Sequence, residues 1–150
     1  MAAYARVAVA RSGSGFTVST NTATLASIAT FAAMAGGAGG TVTHFGLGTD
    51  SSGAGNLLFF GTVTPNISVV AGVTPKLDTG TVLTQAASDG MTTAAATAFW
   101  NLLLTNADWA AIGDAGGLQN STSAGSLYLS LHTADPTEAG DQTSSEISYT

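Results

Sequence analysis

Cysteine is absent from the 150 residues, which excludes disulfides and thiolate metal centres. Charge is nearly absent too. Asp, Glu, Lys and Arg make up 8% of the chain, against about 25% in an average protein. Only Arg6, Arg11 and Lys76 are basic, against nine acidic residues, for a formal net charge of −6. A basic patch for nucleic acid or an anionic membrane cannot be built from three cations. The longest apolar stretches fall short of the roughly 20 residues that span a bilayer. "MAAYARVAVARSG" holds no long apolar segment, so no secretory signal is expected. What remains for the surface is Thr, Ser, Asn and Gly, as suits a secreted or particle-borne β-protein.

The chain reads as one mainly β domain over 1–150, an antiparallel β-sandwich or barrel of about seven or eight strands. Residues 4–11 alternate weakly, and "RSGSGF" then turns them into "FTVST" as a hairpin. "ATLASIATFAAM" (23–34) carries both helix and strand formers, with a lean to strand over Ser27–Ala32. "TVTHFGLGT" is strongly β. "NLLFFGTVTPNISVVAG" gives two strand segments around Pro65, which marks an edge or a bulge. "TPKLDTGTVLTQ" reads as one strand kinked at Gly80. "AASDG" (86–90) has the texture of a linker. After it comes an amphipathic helical segment at about 92–113, with Thr92 or Thr93 as N-cap and Phe99, Leu102 and Leu103 on one face. Asn106 and Asp108 break it and cap a short second helix, "DWAAIGD". Trp100 and Trp109 are expected core anchors. "SLYLSLHT" alternates, Leu127, Leu129 and Leu131 against Tyr128, Ser130 and His132. "EISYT" begins another strand.

Residues that carry chemistry are sparse. His44 and His132 lie far apart in sequence, and zinc needs three or four ligands; both read as structural strand histidines. Asp135, Glu138 and Asp141, three apart in one loop, are the candidate calcium ligands, without an EF-hand pattern. "GLGTDSSGAG" is followed by no helix, so it reads as a hairpin loop rather than a phosphate cradle. Ser52 and Ser130 have no neighbouring base in the sequence. No cofactor and no catalytic residue is assigned, and an enzyme is not expected. Tyr128 and Tyr149 are the aromatics that could stack on sugars. Phe59–Phe60 and Phe99–Trp100 ask for cover on more than one face, from the core or from another subunit.

Three stretches, "SLYLSLHTADPTEAGDQTSSEISYT", "YARVAVARSGSGFTVS" and "TVTHFGLGTDSSGAGNLLFFGTVTPNISVVAGVTPKL", resemble a family of small tailed-bacteriophage structural proteins labelled tail-fibre or head-decoration proteins. The resemblance implies a virion protein assembled in the bacterial host cytoplasm. Its implied role is a capsid decoration (cement) protein, oligomeric, with phage capsid or tail proteins as partners. A tail-fibre or tail-tip component, or a carbohydrate-binding module on the virion, is the alternative. In that family the helix comes first and "SYT" runs directly into "YARV". The order here is therefore that of a circular permutant, with 86–90 joining the ancestral C- and N-termini and Met91 as the old start. A cut inside a predicted strand pair suggests an engineered rearrangement.

Overall fold

The structure, a computed structural model, describes residues 3–84, 91–109, 120–137 and 139–149. The linker expected at 86–90 and most of the expected second helix lie outside these. Among the described residues there are nine strands and one helix, the mainly β architecture the sequence implies. The strands form open sheets of four, three and two, none closed into a barrel. They fall into two compact units.

The first unit comprises Met1–Val9, Ala29–Leu77 and Leu127–Thr150. Its main sheet has the order β1 (Val7–Ala10), β9 (Ser126–His132), β5 (Gly40–Gly48), β6 (Leu57–Val69). Leu127, Leu129 and Leu131 are buried, as their alternation requires, together with Phe45 and Leu47 of the neighbouring strand. β6 is one strand rather than two. It lies at the end of the sheet order, and its register breaks where Pro65 stands: Val42 faces Ile67 and His44 faces Thr62, so 63–66 bulge opposite Thr43. A proline without an N–H fits there and not in a central ladder. The two-stranded sheet pairs β4 (Ala29–Thr30) with β7 (Lys76–Leu77), in keeping with the lean to strand for this stretch.

The second unit comprises Ala10–Ile28 and Asp78–Ser126, with the sheet order β2 (Phe16–Ser19), β3 (Thr22–Leu25), β8 (Val82–Thr84). Two expectations are corrected here. The hairpin joining 4–11 to "FTVST" does not form; β2 pairs with β3 instead. The two-residue Thr20–Asn21 turn is tighter, with Thr20 at φ 53 and Thr22 Oγ1 donating to Ser19 O at 2.8 Å. Such short loops favour local pairing. "TPKLDTGTVLTQ" is likewise not one strand, since β7 and β8 belong to different sheets. Asp78 forms the break. Its Oδ1 accepts from Gly80 N–H at 2.8 Å and its carbonyl from Thr81 N–H at 3.1 Å, a side-chain-capped turn.

The helix α1 spans Thr93–Leu104, and Thr92 is its N-cap, accepting from Ala95 N–H at 3.2 Å. Asn106 at φ 58 ends it, a conformation asparagine tolerates. The buried face is Ala96, Trp100 and Leu104, an i, i+4, i+8 stripe, rather than the expected Phe99, Leu102 and Leu103, which are half-buried. The small Ala96 lets α1 approach β2 and β3, and Trp100 fills the space with its Nε1–H donated to Asn21 O at 3.0 Å. Trp109 is only half-buried. Arg11 fastens the helix end: Nε donates to Leu103 O at 2.7 Å, Nη2 to Leu102 O and Nη1 to Ala124 O, both at 3.1 Å. A cation beside the last carbonyls also meets the negative end of the helix dipole.

Trp100→Ala is expected to lower stability by about 3–5 kcal/mol, the range for emptying a large buried aromatic site. Phe99→Ala should cost clearly less. Urea unfolding of the two variants measures the difference, and equal losses would show that the helix faces its sheet differently.

Candidate functional site

The polar centre of the first unit is organised by Arg6, whose side chain is 3% exposed. Nε and Nη2 reach Glu146 Oε1 and Oε2, each at 2.8 Å, a bidentate pair. Nη1 donates to Asp50 O at 3.0 Å and Nη2 to Gly53 O at 2.8 Å. Burial works against the charge on Arg6, but the bonded carboxylate of Glu146 outweighs it and leaves the guanidinium above its ordinary pKa. A cavity of about 150 Å³ opens beside the pair, bounded by Tyr4, Ala5 and the 51–53 turn. Tyr4 stacks on Phe31 at 6.2 Å and meets Tyr149 edge-on at 5.4 Å. Its hydroxyl accepts from Leu131 N–H at 2.8 Å. Burial, reinforced by Glu146, pushes this phenol far above its ordinary pKa.

Gln142, fully buried, closes the same loop from the other side. Its Oε1 accepts from Asp50 N–H at 3.0 Å and its Nε2 donates to Asp50 O at 3.2 Å, so one amide reproduces a strand-like pair. Its own N–H donates to Ala54 O at 2.9 Å. Gly48 makes the room: a Cβ there would lie 2.6 Å from Gln142 Cγ.

The sheet register sets His132 opposite His44 and, on its other side, opposite Glu146. The two histidines that the sequence holds far apart are therefore neighbours. His132 is fully buried, with Nδ1 2.7 Å from Ser144 O and Nε2 2.8 Å from Ser130 Oγ. Since a carbonyl can only accept, Nδ1 carries the proton and Nε2 accepts from the Ser130 hydroxyl. Burial lowers the pKa of His132 and keeps it neutral. Ser130 was expected to lack a base, and the fold supplies one. Yet both side chains are 0% exposed, and the group orienting Nδ1 is a neutral carbonyl. A nucleophile needs an accessible hydroxyl, so this pair serves the packing of β9. Gly46 leaves the space it occupies; a Cβ there would stand 2.6 Å from Ser130 Oγ and 2.7 Å from His132 Nε2.

The candidate calcium ligands are placed differently from one another. Asp135 Oδ1 accepts from Thr137 N–H at 2.8 Å, and Asp141 Oδ1 from Thr143 N–H at 2.8 Å and Thr143 Oγ1 at 2.7 Å. Thr143, by its hydroxyl first, holds Asp141 below the usual carboxylate range. Each carboxylate thus caps its own turn, while Glu138 lies outside the described residues. Among the described residues no group of three His, Asp or Glu is placed to hold a metal ion. Tyr149, expected as an aromatic open to sugars, is instead 4% exposed and donates its hydroxyl to Ala32 O at 2.9 Å. Tyr128 is half-buried on β9. "EISYT" supplies only a bridge at Glu146 rather than a strand, with Ile147 N–H donating to Leu131 O at 2.9 Å.

Arg6, Glu146 and Gln142 are the residues that pattern reading passed over. Their available signal was scarcity: with three cations in the chain, an arginine inside a strand-like run needs a partner.

The resulting assembly is a β-rich structural module whose polar interior is wholly paired; no buried side-chain nitrogen or oxygen among the described residues lacks a hydrogen-bond partner. Residues 1–85 match the family model described as Podophage GP4 fiber I protein gp80. That span is more than half the chain, and the protein belongs to this phage fibre family. No curated protein and no solved structure matches it. No helix among the described residues is long and apolar enough to cross a membrane.

Removing one member of a buried ion pair leaves the other charge unpaired, at about 3–5 kcal/mol. Arg6→Ala should therefore lose stability in that range. The Arg6→Ala/Glu146→Ala double variant should lose less than the sum of the singles by at least about 1 kcal/mol. Denaturant unfolding of the four proteins gives the coupling, and strict additivity would show that the two residues do not act together.

Proposed function

We propose that the chain is a non-catalytic structural element of a tailed-phage fibre, working by binding other virion proteins, further copies of itself among them. The family match over residues 1–85 carries this reading. The chemistry supports it: the Ser130–His132 pair is sealed, and Asp135 and Asp141 are engaged in their own turns. The rearranged order expected from the resemblance is part of the proposal. Tyr4 N–H donates to Tyr149 O at 3.1 Å, so the segments meant to have been continuous lie side by side. The family match also stops at residue 85, immediately before 86–90.

Immunogold labelling of intact particles tests the location: label along the tail appendages is expected. Label over the head lattice would replace the fibre reading with capsid decoration, and label on neither would remove both. The permutation has a separate test. A chain running 91–150 directly into 4–85 should fold with the same urea midpoint, and its failure to fold would refute the rearrangement.

A further inference from the structure

We propose, resting on the reading that copies of the chain bind one another, that the apolar run Leu57–Phe60 at the open edge of β6 is the surface where two copies meet. β6 ends the order of the main sheet, and among the described residues β5 is its one neighbouring strand. Leu57, Leu58, Phe59 and Phe60 are four large apolar side chains in succession. None of them is buried, although Phe45 and Leu47 on the neighbouring strand are. Leu47 faces Phe59 and Gly48 faces Leu57, so Leu58 is the extra residue of a bulge. It is 38% exposed. A bulge re-aims a side chain, and this one turns a leucine outward.

The far half of the same strand is protected. Pro65 and the 63–66 bulge interrupt the ladder, and the exposed side chains there include Thr64, Asn66 and Ser68. Open edges are ordinarily blunted by proline, bulges and charge. Leu57–Phe60 contains neither proline nor charge, and its bulge presents an apolar residue. The exposed Val82 of β8, by contrast, stands singly beside Thr24. Single apolar residues are normal on a surface, whereas contiguous ones mark contacts.

The chemistry of the run selects a second copy. It has no charge and no side-chain hydrogen-bonding group with which to choose a foreign partner. A two-fold contact sets the same patch against itself, apolar on apolar, by symmetry. Each copy has a net charge of −6, and like charges brought face to face would oppose association. Residues 51–75 hold no Asp, Glu, Lys or Arg, so the copies meet on an uncharged stretch. Between the two bulges, Phe59–Thr62 keep a regular ladder with β5. Their outward N–H and C=O groups add directional bonds to the same contact.

Four residues a side are few beside the roughly 20–30 of a standard interface, so a dimer with a Kd of about 10 μM to 1 mM is expected. Sedimentation equilibrium up to about 2 mM measures it. Amide protection at Phe59–Thr62 should rise with concentration, while Met34 and Gly72, bonded to Val73 O and Met34 O, should hold. Leu58→Lys removes two leucines per dimer and sets like charges at the joint, so it should weaken the dimer by at least about tenfold. Val82→Lys should leave it unchanged. Urea midpoints at low concentration check that each variant folds. Should Leu58→Lys not fold, Thr62→Lys, at another exposed position of the edge, takes its place. A monomer throughout, a dimer indifferent to the edge lysine, or one lost with Val82→Lys would overturn the surface. So would protection at Phe59–Thr62 that appears only when other tail-appendage proteins are added, since the edge would then have a foreign occupant. Each of these results leaves label on the tail appendages, and with it the fibre reading, in place.

Discussion

The first unit depends on a guanidinium held away from water. Arg6 gathers a carboxylate 140 residues away in sequence and two backbone carbonyls, so one side chain ties three distant stretches of chain. Buried charges persist only when paired and bonded on all sides, and the surroundings meet that demand. Glu146 answers with both oxygens, and Gln142 holds the other face of Asp50. In the second unit Arg11 plays the corresponding part at the end of α1, with three carbonyls and the Ser121 hydroxyl in place of a carboxylate. Two of the three basic residues are thus internal fasteners.

This arrangement explains why a chain so poor in charge maintains short, irregular connections. The Asp50–Gly53 turn has few apolar side chains with which to hold itself, and directional bonds to Arg6 and Gln142 replace packing. Glycine makes the close approach feasible. Gly46 and Gly48 sit on β5 where the polar layer presses against the sheet, and any side chain there would collide with Ser130, His132 or Gln142. Both faces of β9 are consequently covered, one by apolar packing and the other by a paired polar layer.

What the sequence disclosed follows from the range of each interaction. Local signals were legible: the Thr92 cap, the stop at Asn106, the bulge at Pro65 and the alternation of Leu127, Leu129 and Leu131 all arise within a few residues. Partnership was not. Alternation places Ser130 and His132 on the face opposite the leucines but does not say that the 141–146 segment covers them. Composition favours a turn after Arg11 without revealing that β2 will choose β3. The Phe99, Leu102 and Leu103 spacing suits a helix face, yet the sheet accepts Ala96 and Trp100 because the approach distance is set by the smallest side chain in the contact. The candidate site was least legible, since its members come from residues 6, 50, 132, 142 and 146.

Drawing the arginines inward has a consequence for association. Lys76 is the basic residue left exposed among the described residues, in a chain with nine acidic residues. Such a surface gives two copies of the chain no long-range attraction between opposite charges. Contacts between copies would rest on shape, short-range hydrogen bonds and apolar side chains such as the exposed Ile28 and Val70, which ions in the medium screen little. A particle joined in this way would hold together in dilute fresh water and in brine alike.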